Sequence, residues 1–213
     1  MRVTAEAKAE TRQRILDAAR QLFAASGYEA STTRGIADAA GIANGTLFNY
    51  FANKEAILAS LVAEVAAGID TDLENRSLRE GSLEEELFAF VAAGLRKLKP
   101  WRKHLPVLLE TVLNPLTMAS ADDAQAMRLS HLDTVARLAW HHGLGELSAM
   151  ALQLYWTLYV GVLGFWARDE SPKQENTLAL LDSSLAMFTG WLQSENDSRS
   201  ENEKGGKQPC PRP

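Results

Sequence analysis

Side chains able to make or break covalent bonds are poorly grouped along this chain. No nucleophile stands at a useful spacing from a base, and no carboxylates pair for acid–base work. His104, His131, His141 and His142 lack metal-ligand partners at a convincing spacing. Gly35, Gly41 and Gly45 precede no Gly-Lys-Ser/Thr, so they form no phosphate-cradling loop. Glu84, Glu85 and Glu86 suit the positive end of a helix. No metal, cofactor or enzymatic activity is expected. The chemistry that remains is recognition, and its residues gather in 32–58, TTRGIADAAGIANGTLFNYFANKEAIL.

That stretch must be positioned by short helices. Ile36, Ala37, Ala40, Ile42 and Leu47 supply an apolar wedge, and Gly41 stands where the first helix must stop. Two short helices across a Gly-containing turn form a helix-turn-helix, which presents its second helix to the DNA major groove. Before it, Ile15, Ala18, Ala19, Leu22 and Phe23 fall on one face of a helix over about 7–26, ended by Gly27. Thr32 predicts an N-cap for a helix over 33–40, and Ala43 or Asn44 opens the next, which runs to about Tyr50. Asn53 caps a long helix to about Glu74.

Ala and Leu are abundant while Val, Ile and Thr are sparse, which favours an all-α fold of about nine helices. The chain carries 22 Lys/Arg against 27 Asp/Glu. Residues 1–56 hold seven and six of these, leaving 15 against 21 for 57–213. An acidic total therefore does not exclude a nucleic-acid partner, because the basic residues can be focused on one surface. Cys210 is the single cysteine, so no intramolecular disulfide forms, and the N-terminal residues lack a signal-peptide core. A cytoplasmic location is expected.

Helices continue after the head. Leu83, Leu87, Val91, Leu95 and Leu98 mark one stopped by Pro100, and Leu105, Leu109 and Val112 mark another before Pro115. Residues 149–167 are so apolar that a membrane span must be weighed. Gln153, Thr157, Gly161 and Gly164 lower that apolarity and no basic flank anchors it, so no membrane partner is expected. The last predicted helix, 173–193, has two stripes: Leu178, Leu181, Leu185, Phe188 and Leu192, and Leu180, Ser184, Met187 and Trp191. One stripe can face the core and the other a second subunit, in a four-helix interface with two-fold symmetry. Leu154, Leu158, Val162, Leu181, Leu185 and Phe188 are the residues expected at that interface. Met127, His131, Trp156 and Tyr159 are the candidates for a mostly apolar effector pocket. The division expected is a DNA-binding domain 1–52, a helical ligand-binding and dimerisation domain 53–193, and a disordered tail 194–213.

Over 12–58 the chain resembles the DNA-binding domain of the TetR family of bacterial transcriptional regulators. The resemblance is carried by Phe23, Gly27-Tyr28, Thr32-Thr33, Ile36-Ala37, Ala40-Gly41-Ile42, Gly45-Thr46-Leu47-Phe48, Tyr50-Phe51 and Lys54 through Leu58, without a gap. It implies a homodimeric regulator, a repressor released from a pseudo-palindromic double-stranded operator by an unknown small-molecule inducer. It also implies roles. Arg34 would reach a base edge, Thr33 and Lys54 would meet phosphates, and Asn44, Gly45 and Thr46 would lead the recognition helix into the groove. Asn49 and Tyr50 would complete its exposed side. Phe48 stands where the family usually has Tyr, so a hydroxyl contact is lost and ring packing remains. An architectural DNA-binding protein without an effector is the alternative, and an all-α small-molecule-binding protein or enzyme a more distant one.

Overall fold

The computed structural model describes residues 4–74, 81–112 and 122–205. The side chains of Ile69, Leu73 and Val112, together with Pro115, Cys210 and the tail beyond Gly205, lie outside the described residues.

Helix α1, Ala5–Ser26, begins where the Thr4 hydroxyl accepts from the Ala7 N–H at 3.2 Å. It buries Ile15, Leu16, Ala18, Ala19 and Phe23, and closes on Gly27 at φ 83°. Helix α2, Thr33–Ala39, is capped as its sequence requires, with the Thr32 hydroxyl accepting from the Gly35 N–H at 3.0 Å. Gly41 turns the chain at φ 67°, a value that costs a side chain dearly but glycine little. The Ile42 N–H then reaches back to the Ala37 carbonyl at 3.0 Å and satisfies an end of α2.

Helix α3, Asn44–Leu47, is a single turn and stops short of the Tyr50 expected from sequence. Residues 48–50 continue as turns, with Asn49 N–H to Thr46 O at 3.1 Å and Tyr50 N–H to Leu47 O at 2.9 Å. Gly45 and Asn49 are poor helix formers, and so short a helix lacks the length to propagate itself. Its place is set instead by Leu47, fully buried, and by Phe51 just after it. Helix α4, Lys54–Glu74, starts with the Asn53 side-chain oxygen accepting from the Ala56 N–H at 2.8 Å.

Then follow α5, Leu83–Leu98; a 3-10 segment, Lys99–His104; α6, Leu105–Val112; α7, Asp122–His141; α8, Ala149–Arg168; and α9, Glu175–Gly205, preceded by a 3-10 turn at Pro172–Gln174. No strand occurs among the described residues, and the fold is all-α. The chain forms two compact units. The first combines residues 1–68 with 97–129, and the second combines 69–96 with 130–213.

In the second unit α8 and α9 pack together. Helix α8 is long and apolar enough to cross a membrane by length and composition alone, and a third of its window is buried inside the chain. Asp169 ties the two helices, its carboxylate accepting from Ser171 N–H at 2.8 Å and Thr177 N–H at 2.9 Å. The Thr177 hydroxyl also donates to this carboxylate, and it, with those bonds, holds the Asp169 carboxyl well below the usual carboxylate range.

Burial corrects the proposed subunit face. Val162, Leu181, Leu185 and Phe188 are each 3% exposed or less and already fill the core of one chain, so they have no surface to offer a partner. Leu154 and Leu158 are half-buried. The outward side of α8 carries Met150, Gln153, Thr157, Gly161 and Phe165, and that of α9 carries Ala179, Ser183, Ala186, Met187 and Gly190. Of the second stripe, Ser184 is buried and Trp191 half-buried, so the outward row is a different set of positions that helical spacing alone does not single out.

Helix α9 also continues to Gly205, through the first part of the stretch read as a disordered tail. Between Ser194 and Lys204 there is neither Pro nor Gly, so nothing stops a helix that packed turns have already nucleated.

Candidate nucleic-acid interface

The recognition surface is assembled on the first unit from the inside outward. Ile36 and Ala37 of α2 and Leu47 of α3 are fully buried with Ile15, Leu16 and Ala19 of α1. Burying one side of two such short helices fixes which residues face out. Arg34, Asn44, Gly45 and Asn49 are exposed, and Thr33, Thr46 and Tyr50 are half-exposed. Phe48 is 48% exposed, so about half of this large side chain is open to solvent. The structure thus gathers eight of the nine sequence-named residues on the outward side of α2, α3 and the turn that follows.

Lys54 is the ninth and behaves differently. Its ammonium donates to the Tyr28 carbonyl at 2.8 Å and to the Ser31 carbonyl at 3.1 Å. The same nitrogen stands 4.0 Å from the centre of the Tyr28 ring. The Lys54 ammonium therefore fastens the start of α4 to the loop between α1 and α2. Tyr28 is held in turn, its hydroxyl donating to Glu55 at 3.0 Å. Burial and the neighbouring Glu55 carboxylate push the Tyr28 phenol well above its ordinary range.

Two further cations position the surface from α1, and both escaped the sequence reading. Arg14 donates to the Ala40 carbonyl at 3.2 Å, beside the Gly41 turn. Arg12 donates to Ser60 at 3.1 Å while its guanidinium lies 5.1 Å from the centre of the Phe51 ring. A signal for Arg12 existed: it lies one turn before Ile15 and Leu16, in line with the buried stripe of α1. Arg14 offers no such signal, because its partner lies 26 residues away across the fold.

The proposed effector residues are partly brought together in the second unit. The His131 ring centre lies 4.2 Å from that of Tyr159 and 5.9 Å from that of Trp156. Phe90 closes another side at 4.6 Å, and the Tyr155 hydroxyl is 3.0 Å from His131 Nε2. Burial pushes the His131 pKa down to about 3, so the imidazole is neutral at ordinary pH. Tyr155 and Phe90, both buried, complete this ring cluster and were not singled out by apolar periodicity. Met127 falls in the other compact unit.

Buried α1, a tight Gly41 turn and an outward polar face on α2 and α3 define a helix-turn-helix module. Residues 15–61 match the family model for bacterial regulatory proteins of the tetR family. Over that segment the chain carries a DNA-binding domain of the tetR-family type. It is 33% identical over 133 residues to the HTH-type transcriptional repressor KstR of Mycobacterium tuberculosis, covering 62% of this chain and 56% of that protein. With the repressor KstR2 of Rhodococcus jostii it shares 46% identity over 66 residues, which is 31% of this chain and 30% of that one. The alignments to KstR thus span little more than half the length of that relative. Among solved structures, FadR of Thermus thermophilus, a TetR-family repressor crystallised with lauroyl-CoA, aligns with a TM-score of 0.65 over 84% of this chain and 93% of that one. At 22% identity that likeness concerns the fold.

Proposed function

We propose that this chain is a sequence-specific DNA-binding transcriptional repressor, acting as a homodimer in the cytoplasm and released from its operator by a small apolar effector. One observation carries the reading: Arg34, Asn44, Asn49 and Phe48 face outward from a helix pair whose other side is buried in the head. Arg34 is suited to the O6 and N7 of a guanine, Asn44 and Asn49 to base edges, and the Phe48 ring to a thymine methyl. Thr33, Thr46 and Tyr50 stand where hydroxyls reach phosphates or polar edges.

Two such heads, carried by the exposed faces of α8 and α9, read successive major grooves of a pseudo-palindromic site. The effector site of this reading is the ring cluster around His131, with the neutral imidazole and the Tyr155 hydroxyl as its polar handles. Effector binding would favour a head spacing that no longer fits the operator.

The test begins with the duplex that the full chain retains from genomic fragments of its own source. Arg34→Ala is expected to weaken binding to that duplex by about 1–3 kcal/mol and to relax choice at one base pair. Equal gel-shift titrations for the wild type and this variant would overturn the assignment of Arg34. Retention of no duplex at all would overturn the function.

A further inference from the structure

The cations of the head are largely occupied within it. Residues 1–68 hold seven Lys/Arg against seven Asp/Glu, a net charge of zero. Arg20 is paired with Asp17 and Glu64, both at 2.6 Å, and Arg12, Arg14 and Lys54 are engaged as described above. Among the described residues of the head this leaves Lys8 and Arg34 to face a polyanion. A module that binds duplex DNA needs several phosphate-contacting cations, because release of counterions supplies much of its affinity.

The missing charge lies in the same compact unit but outside the helix-turn-helix. Residues 97–109, KLKPWRKHLPVLL, contain four Lys/Arg and no acidic residue. Their 3-10 segment, Lys99–His104, is seated on the head by its last residue: the His104 ring centre lies 5.4 Å from that of Tyr28. Tyr28 is the residue that also holds Lys54 at the start of α4, directly after the recognition turn. Lys99 and Lys103 of this segment are exposed.

We propose that Lys99 and Lys103 form an accessory phosphate-contact patch that grips the duplex backbone outside the groove read by α3. This rests on the DNA-binding reading above and extends it to a segment between α5 and α6. The patch carries no sequence information; it adds affinity and salt dependence to every duplex.

The experiment uses the full chain and a duplex it selects from a randomised pool, titrated at several salt concentrations. Lys99→Gln/Lys103→Gln should lower the slope of log K against log salt by about 0.9 for each phosphate contact removed, with base preferences unchanged. Arg168→Gln/Lys173→Gln, an equal charge change in the second unit, should leave the slope within error. A wild-type slope in the Lys99/Lys103 variant, with Arg34→Ala still impaired, overturns the patch and leaves the DNA-binding reading standing. Loss of inorganic pyrophosphate binding with an unchanged DNA slope would assign the patch to a small anion and likewise overturn it. If the wild type selects no duplex, the functional reading falls first.

Discussion

A neutral imidazole enclosed by aromatic rings links the protonation of one residue to the stability of its unit. His131 has an ordinary value of 6.5, reached in the unfolded chain, and burial lowers it to about 3 in the folded one. Between these values the unfolded chain binds the proton and the folded chain does not, so stability rises with pH across that window. The contribution is complete above pH 6.5 and is lost as pH falls towards 3. His131→Phe keeps a ring against Phe90 and Tyr159 while removing the titration. Its thermal midpoint is expected to fall less steeply on acidification than that of the wild type. Parallel acid curves for the two proteins would show that His131 is solvated or charged in the native state. The Asp169 carboxylate acts in the same direction at lower pH, because its folded value is also depressed.

Elements in the head are joined by contacts that a reading of periodicity does not supply. The caps at Thr32 and Asn53 and the left-handed Gly27 and Gly41 were legible, because each is a local demand of one residue on its own backbone. The core stripe of α1 was legible for a similar reason. The inward turn of Lys54 was not, since its carbonyl partners lie 23 and 26 residues earlier in the chain. Nor was the length of α3, where Gly45 and Asn49 outweigh an apolar pattern that runs on to Phe51. Lys54→Met tests the clasp that its ammonium forms with the Tyr28 and Ser31 carbonyls. Losing two hydrogen bonds from a charged donor should destabilise the head by about 2 kcal/mol, measured by urea titration of the full chain. Under folding conditions its salt slope for DNA should equal that of the wild type. A fall of about 0.9 with unchanged stability would return Lys54 to the phosphates.

For the whole molecule, the proposed dimer rests on the surface that a single chain leaves uncovered on α8 and α9. Both stripes of α9 repeat at helical spacing, and their hydrophobicity was a misleading guide: the richer stripe, Leu181, Leu185 and Phe188, became core. The outward face is neither stripe: Ser184 is buried, and the exposed row Ala179, Ser183, Ala186, Met187 and Gly190 is made mainly of small residues, with Met187 68% exposed. Small side chains let two helices approach closely, and an isologous contact repeats each residue across the axis. A charge placed there faces its own copy in a desolvated setting, whereas a charge at Leu181 is buried within one chain. Met187→Glu is therefore expected to yield folded monomers in light scattering, with unchanged helical circular dichroism and a loss of cooperative operator binding. Leu181→Glu should instead lose the thermal transition itself. A Met187→Glu protein that remains dimeric would remove this face from the assembly and leave the exposed Trp140 side of α7 as the next surface to probe.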